Sequence, residues 1–271
     1  MHGKCLLWVA VMVGACGPAP LPSTGERWDE PFDSAIVEDR YILRYRTPPG
    51  HDPSVAYPLV VVLDPTFAGL RRLDRVLGLI AQGEAEGWWP DTVVVGVDYD
   101  DPWKRHRDYV PQGEPDPDFG NAGADRFYAA LRDEILPEID ARVAVDEDDR
   151  TIAGFSNGGV FAFYTALRHA PPEPPLFQRV IAGDFGIGSD LFLFERWLAE
   201  RASDLPIAMY TSHAVFNGAT QLITHAEMSS RLRGREYPSL QWREELLETD
   251  HGGADPISLE HGLDFVLREV R

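Results

Sequence analysis

The stretch GFSNG at residues 154–158 constrains the fold more than any other part of the chain. It places Ser156 between two glycines in the spacing G-x-S-x-G, after a short apolar run (151–153) and before a helix-like run (159–169). When a strand turns sharply into a helix, side chains two residues on either side of the turn would clash. The pattern therefore predicts a strained strand–turn–helix with Ser156 at its apex, the alternative being an ordinary glycine turn.

Strand-like and helix-like segments alternate along the rest of the chain. The strand-like segments are 41–45, 59–63, 93–97, 151–153, 180–182, 207–210 and 241–247. Helical periodicity marks 123–143, with an expected kink at Pro137, and a closing helix at 259–270. This alternation predicts the α/β class, a mostly parallel sheet with helices on both faces. Catalytic groups are then expected at the carboxyl ends of the strands.

The N-terminal segment is expected to be a targeting signal rather than part of the fold. Lys4 precedes a short apolar run (5–13), and the small residues of VGAC at 13–16 lead to Cys16. This resembles the lipobox of bacterial lipoproteins, in which the cysteine becomes the lipidated first residue. A plain signal peptide and a buried helix are the alternatives. We therefore predict a signal peptide at 1–15, a tether at 16–30 and one domain at 31–271.

Composition and this N-terminus together restrict the location and the partners. With 271 residues, 44% of them hydrophobic, the chain can bury one substantial core. A formal net charge of −19 excludes a nucleic-acid partner. The expected location is the bacterial cell envelope, at the outer membrane facing the periplasm or surface, with membrane contact only through the lipid. Removal of Cys5 and acylation of Cys16 would leave the mature domain without a thiol.

A serine hydroxyl needs a base to remove its proton and donors to hold the oxyanion that its attack creates. His251 follows the last predicted strand and precedes the closing helix, so it is the candidate base. His261 falls within that helix, and His213 and His225 precede the last strand.

Two backbone N–H groups are the candidate oxyanion donors. Asn157 follows the serine at the expected start of a helix, where the helix dipole favours negative charge. The second donor should come from the loop after 59–63, in which Pro65 has no N–H and Thr66 is the next residue. A plain turn at the end of the strand is the alternative for this loop.

Several motifs, taken in order, resemble one family. They are YPLVVVLD at 57–64, RDYVP at 107–111, GADRF at 123–127, ILPEI at 135–139, TIAGFSNGG at 151–159 and DHG at 250–252. They are similar to the putative esterase (esterase D-like) family of α/β-hydrolases, which includes enterochelin esterases, S-formylglutathione hydrolases, feruloyl esterases and mycolyltransferases. The resemblance implies the α/β-hydrolase fold for most of the chain and a serine–acid–histidine site.

The chain departs from the family where the acid is expected. The loop matching the family's acid position, 211–217, contains no carboxylate. Asp184 follows the first strand after the serine and keeps the order Ser, Asp, His, so we predict that it is the acid, as in some lipases. Alternatively Asp184 only caps the segment after its strand. Glu227 and Asp250 are worse placed, and without any acid the site would be a Ser–His dyad or inactive.

These residues predict a serine hydrolase that cleaves a carboxylic ester or related acyl bond through an acyl-enzyme on Ser156. The expected partner is a small-molecule ester, and the chemistry calls for neither a metal nor an organic cofactor. Two alternatives stay open: an acyltransferase of the mycolyltransferase type, and a non-catalytic envelope-binding protein with a degenerate site. The sequence leaves the particular ester and the oligomeric state open.

Overall fold

A computed structural model describes residues 25–69, 71–111 and 123–269. The predicted signal peptide, most of the predicted tether and the lipidation candidate Cys16 lie outside these residues. Within the described ranges, no helix is both long enough and apolar enough to cross a membrane.

An eight-stranded sheet forms the centre of the molecule. Its strands are β1 (Arg27–Ser34), β2 (Asp39–Arg46), β3 (Tyr57–Leu63), β4 (Val93–Tyr99), β5 (Val145–Phe155), β6 (Arg179–Gly183), β7 (Ala208–Ala214) and β8 (Gln241–Leu247). They lie in the order β1-β2-β4-β3-β5-β6-β7-β8. Two pairs of neighbouring strands are antiparallel, β1 with β2 and β2 with β4. The other neighbouring strands of the sheet are parallel.

Helices cover both faces of this sheet. They are α1 (Arg72–Ala85), α2 (Arg105–Asp108), α3 (Ala124–Ala130), α4 (Leu136–Arg142), α5 (Asn157–Leu167), α6 (Ser189–Ala199), α7 (Ala219–Arg235) and α8 (His251–Asp264). Side chains of α1 and α8 pack on one face, and those of α3 to α7 pack on the other. Successive residues of the central strands enter opposite clusters, as Val60 and Val61 do, because strand side chains alternate between faces. The predicted fold class, α/β with a mostly parallel sheet, is confirmed.

Three boundaries differ from those predicted. β1 begins at Arg27, inside the range assigned to the tether, because residues 27–34 pair with β2 along their whole length. β7 continues to Ala214, so 211–213 are strand rather than loop. α8 begins at His251 instead of residue 259, because the Asp250 carboxylate caps it by accepting the Gly253 N–H.

The helix predicted at 123–143 is interrupted just before Pro137. Its two halves, α3 and α4, are joined by a π-helical turn at Leu131–Ile135. Proline lacks the N–H that a regular helix uses, so a change in hydrogen bonding at this point is expected.

The strand order creates a crevice between β3 and β5. From β3 the chain moves to β4 on one side, then crosses to β5 on the other side. Loops after β3 and β5 therefore diverge at the carboxyl edge of the sheet, which is where open α/β sheets bind ligands. Ser156 directly follows β5, so the fold places it in this crevice.

Candidate active site

The predicted strand–turn–helix is present, with Ser156 at its apex. β5 ends at Phe155, α5 begins at Asn157, and Ser156 itself has a φ of 59° and a ψ of −125°. A Cβ on Gly154 would lie 2.0 Å from the Gly158 carbonyl oxygen, so this glycine is required by the close approach of strand and helix. The Ser156 N–H donates to the Gly183 carbonyl at 3.0 Å, which ties the strained residue to β6.

His251 and Asp184 are in direct contact. The distance from His251 Nδ1 to Asp184 Oδ2 is 2.6 Å. Because an ionised carboxylate only accepts hydrogen bonds, Nδ1 is the donor and Nε2 is left to exchange a proton. The imidazole packs against Phe155, with ring centroids 4.8 Å apart, so it lies beside the residue that precedes Ser156.

Three donors surround the Asp184 carboxylate. Besides His251, the Ala214 N–H donates to it at 2.8 Å and the Asn217 side-chain amide donates at 2.5 Å. Burial raises the pKa of Asp184, but these hydrogen bonds outweigh burial, and the pKa lies below its ordinary value. Asp184 is only 2% exposed, so its negative charge is held next to His251 with little contact with water.

Asn217 is a site residue that the sequence analysis missed. It follows β7, in the loop where the family resemblance would place the acid, and its amide instead holds the acid supplied by β6. β6 and β7 are parallel neighbours, so they end side by side at the same edge of the sheet. A polar residue after β7 can therefore reach a carboxylate after β6. That adjacency depends on the order of the strands, which the sequence analysis did not predict.

The residues weighed against His251 and Asp184 have other partners. His261 pairs with Glu245 at 2.7 Å, and Glu227 pairs with Arg231 at 2.8 Å. Asp250 caps α8. The His213 and His225 rings are buried against each other. None of these contacts involves Ser156.

The candidate oxyanion donors flank the crevice. Thr66 lies just after β3 and its hydroxyl donates to Asp98 at 2.8 Å, while Asn157 opens α5. In the described part of the chain, no acceptor contacts the backbone N–H of Thr66 or Asn157. Their role as oxyanion donors stays a prediction.

Ser156 and His251 are not yet joined by a hydrogen bond. Among the residues that the structure describes, the Ser156 hydroxyl has no hydrogen-bond partner. Contacts of this kind are often long in ligand-free sites and shorten when substrate binds. The structure thus brings the acid and base together beside the serine and leaves the last contact open.

Buried charged side chains next to the site form a network of hydrogen bonds. Arg72 binds Asp255 through two nitrogens, at 3.1 and 3.2 Å, and also donates to the Asp64 carbonyl at 2.9 Å. Arg105 Nε donates to the Asp64 carboxylate at 2.9 Å. Asp255 lies one turn after His251 in α8, so its pairing with Arg72 ties the start of that helix to the end of β3.

A cavity of about 390 Å³ opens beside Asn157. Its apolar surface includes Val160 of α5 and Leu191 of α6, and the first turns of α7 form a polar wall with Thr220 and Gln221. Asn157 directly follows Ser156, so the cavity opens at the start of α5, the helix that begins after the candidate nucleophile.

The fold and this constellation define a protein of the α/β-hydrolase class with a serine, a histidine and an aspartate at the carboxyl edge of the sheet. Residues 34–183 match the family described as Putative esterase. The chain belongs to this family, which confirms the resemblance seen in its motifs.

One characterised relative aligns with part of the chain. The chain is 31% identical over 160 residues to ferri-bacillibactin esterase BesA of Bacillus subtilis (strain 168), an alignment covering 53% of this chain. It spans 51%, about half, of that relative's length.

Solved structures resemble the whole fold. The BES protein from Bacillus cereus has a TM-score of 0.74 at 19% identity, covering 97% of this chain and 99% of that one. An IroE-like serine hydrolase from Shewanella oneidensis has a TM-score of 0.75 at 19% identity, covering 89% and 80% of the two chains. Siderophore hydrolase EstB from Aspergillus nidulans has a TM-score of 0.72 at 16% identity, covering 93% and 98%. At such identities these similarities establish the shared fold.

Proposed function

We propose that this protein is a serine esterase that hydrolyses a carboxylic ester through an acyl-enzyme on Ser156. The observation that carries the proposal is the 2.6 Å contact between His251 and a buried, ionised Asp184, beside a strained serine. A helix N-terminus, a carboxylate–imidazole pair and a serine at the apex of a turn are the parts that nucleophilic acyl transfer needs. Membership of the Putative esterase family supports the same reaction.

In the proposed first half-reaction, His251 Nε2 takes the hydroxyl proton as Ser156 Oγ attacks the ester carbonyl carbon. The negative charge that develops on the carbonyl oxygen is held by the N–H groups of Asn157 and Thr66. Collapse of this intermediate breaks the bond to the alcohol, and the imidazolium returns the proton to the departing oxygen. Asp184 stabilises the imidazolium and keeps Nε2 directed at the reacting atoms.

In the second half-reaction water takes the place of the alcohol. His251 removes a proton from water as the oxygen attacks the acyl carbon, and then returns a proton to Ser156 as the carboxylic acid leaves. The free enzyme is restored without any other reactant.

The competing proposal is a binding protein with a degenerate site. It was raised because the loop expected to carry the acid, 211–217, contains no carboxylate. The buried Asp184 next to His251 supplies a candidate acid and removes that motive. Fluorophosphonate labelling separates the two, since it requires an activated serine rather than a binding surface.

We expect Ser156→Ala to abolish both labelling and ester hydrolysis while the fold survives. Loss of the nucleophile of a serine protease costs about 10⁶ in kcat, and a similar loss is expected here. Hydrolysis of short-chain, aromatic and siderophore-type esters measures the activity, and far-UV circular dichroism measures the fold. Ser230→Ala, on the exposed side of α7, is the matched control and should label fully. Full labelling of the Ser156→Ala protein would assign the reaction to another residue.

A further inference from the structure

The cavity beside Asn157 has an unusual distribution of charge. Its apolar lining includes Val160, Ile187 and Leu191. Of its lining residues in the described part of the chain, only Asp190 is ionisable, and none is a lysine, arginine or histidine. A bound group would therefore meet apolar side chains, hydroxyl and amide groups, and a single negative charge.

The Asp190 carboxylate is available to such a group. Asp190 lies in the first turn of α6 and is partly buried, and partial burial raises its pKa. Among the described residues, no side chain or backbone group forms a hydrogen bond or ion pair with this carboxylate. A partly desolvated carboxylate without a partner attracts a cation, tolerates a neutral group and repels an anion.

The lysine and arginine side chains in the segment after β4 are already paired with carboxylates. Arg105 is buried against Asp64, and Lys104 lies 2.6 Å from Asp39. Arg107 pairs with Asp39 and Asp108.

We propose that this cavity binds an uncharged or cationic group of the ester substrate and excludes anionic ones, with Asp190 as the specificity-determining residue. The inference rests on the proposed esterase function and narrows its substrate class. It predicts that the enzyme prefers neutral or ammonium-bearing esters to carboxylate-bearing or polyanionic esters.

The test uses esters that differ in the charge of one terminal group. One series consists of 4-nitrophenyl esters whose acyl chain ends in a tert-butyl, a trimethylammonium or a carboxylate group. A second series places the same three groups on the alcohol side of acetate esters, so both orientations in the cavity are sampled. We expect kcat/KM for the anionic ester to fall at least about tenfold below that of the neutral ester in one of the series, because juxtaposed like charges are strongly unfavourable. The ammonium ester should match or exceed the neutral one.

Asp190→Asn should bring the three kcat/KM values together, mainly by raising kcat/KM for the anionic ester. Asp91→Asn is the matched control, since it removes the same charge from an exposed position at the opposite edge of the sheet. High salt screens the field of the whole molecule more than that of a partly buried group, so the selectivity should persist in salt.

Three results would overturn the inference: equal rates for neutral and anionic esters, ratios that Asp190→Asn does not change, or an equal change in Asp91→Asn. If no neutral ester is hydrolysed and Ser156 does not label, the esterase function itself fails, and this inference fails with it. If Ser156 is labelled but neutral and anionic esters react equally fast, the role proposed for Asp190 is rejected and the proposed esterase function stands.

Discussion

Asp184 is held mainly by neutral donors. The Ala214 N–H donates to Oδ1 of the carboxylate, and the Asn217 amide and His251 both contact Oδ2. Neutral donors keep the carboxylate ionised without cancelling its charge, so the charge stays available to stabilise an imidazolium. The geometry fits the role proposed for Asp184, which activity measurements must test.

We expect Asp184→Asn to reduce kcat by up to roughly 10⁴, because an amide can leave His251 in the wrong tautomer and gives the imidazolium no opposing charge. Asn217→Ala should reduce kcat much less, since the Ala214 donor and the His251 contact remain. Steady-state kinetics on a neutral ester and thermal unfolding of each variant provide the measurement. Equal losses in the two variants, or an unchanged kcat in Asp184→Asn, would contradict the assigned role.

At the residue scale, much of the candidate site could be predicted from the sequence, because the sequence shows the order of residues along the chain and where the buried strands end. Ser156, His251 and Asp184 were each predicted from their position relative to a strand. Asn217 was missed because its importance depends on which strand lies next to β6. The pairing of Arg72 with Asp255 was also unreadable, since 183 residues separate them and nothing local marks either one.

At the scale of elements, the glycines of the turn decide whether β5 and α5 can meet. At Gly154 and Gly159 an added Cβ would meet backbone atoms first: on Gly159 it would lie 2.7 Å from the Gly183 carbonyl oxygen. Backbone cannot move aside without separating β5 from β6, so these positions have little tolerance.

Gly154→Ala should destabilise the fold by about 3 kcal/mol or abolish folding, because its Cβ would lie 2.0 Å from the Gly158 carbonyl oxygen. Gly78→Ala is the matched control in α1, where nothing lies within 4 Å of the added Cβ. It should stabilise the protein by about 0.5–1 kcal/mol, since glycine is unfavourable inside a helix. Chemical denaturation of the two variants and the parent measures both changes. A Gly154→Ala protein as stable as the parent would show that strand β5 and helix α5 approach each other less closely than the 2.0 Å distance implies.

The elements that sequence predicted well are those whose apolar runs are buried on both faces. β3 and β4 are examples, and their buried positions match 59–63 and 93–97. The first four residues of β1 (27–30) were assigned to the tether because β1 is an edge strand with a charged, partly exposed sequence. β7 was predicted too short because its buried Thr211 and Ser212 are polar, and they are satisfied by Trp242 and Ser258 from other elements.

At the scale of the whole molecule, the reversal of strand order between β3 and β5 brings distant segments to one crevice. Thr66 follows β3, Ser156 follows β5, Asp184 follows β6 and His251 opens α8. Alternation of strands and helices predicts the parallel sheet, but the order of the strands depends on how helices pack across it. The family resemblance implied the α/β-hydrolase fold, and the structure gives the order of its strands.

The mature protein's attachment to a membrane is the remaining whole-molecule prediction. We propose that Cys16 is the mature N-terminus and carries lipid, because VGAC at 13–16 follows a short apolar run. In a two-membrane bacterium, Cys16→Ser should move the protein from the membrane fraction to the soluble fraction. Cys5→Ser is the matched control, since it falls in the segment expected to be removed and should leave fractionation unchanged. A single acyl chain gives only marginal membrane binding, so mass spectrometry of the parent should find more than one chain on Cys16. Retention of residues 1–15, or an unmodified Cys16, would refute the anchor without affecting the esterase proposal.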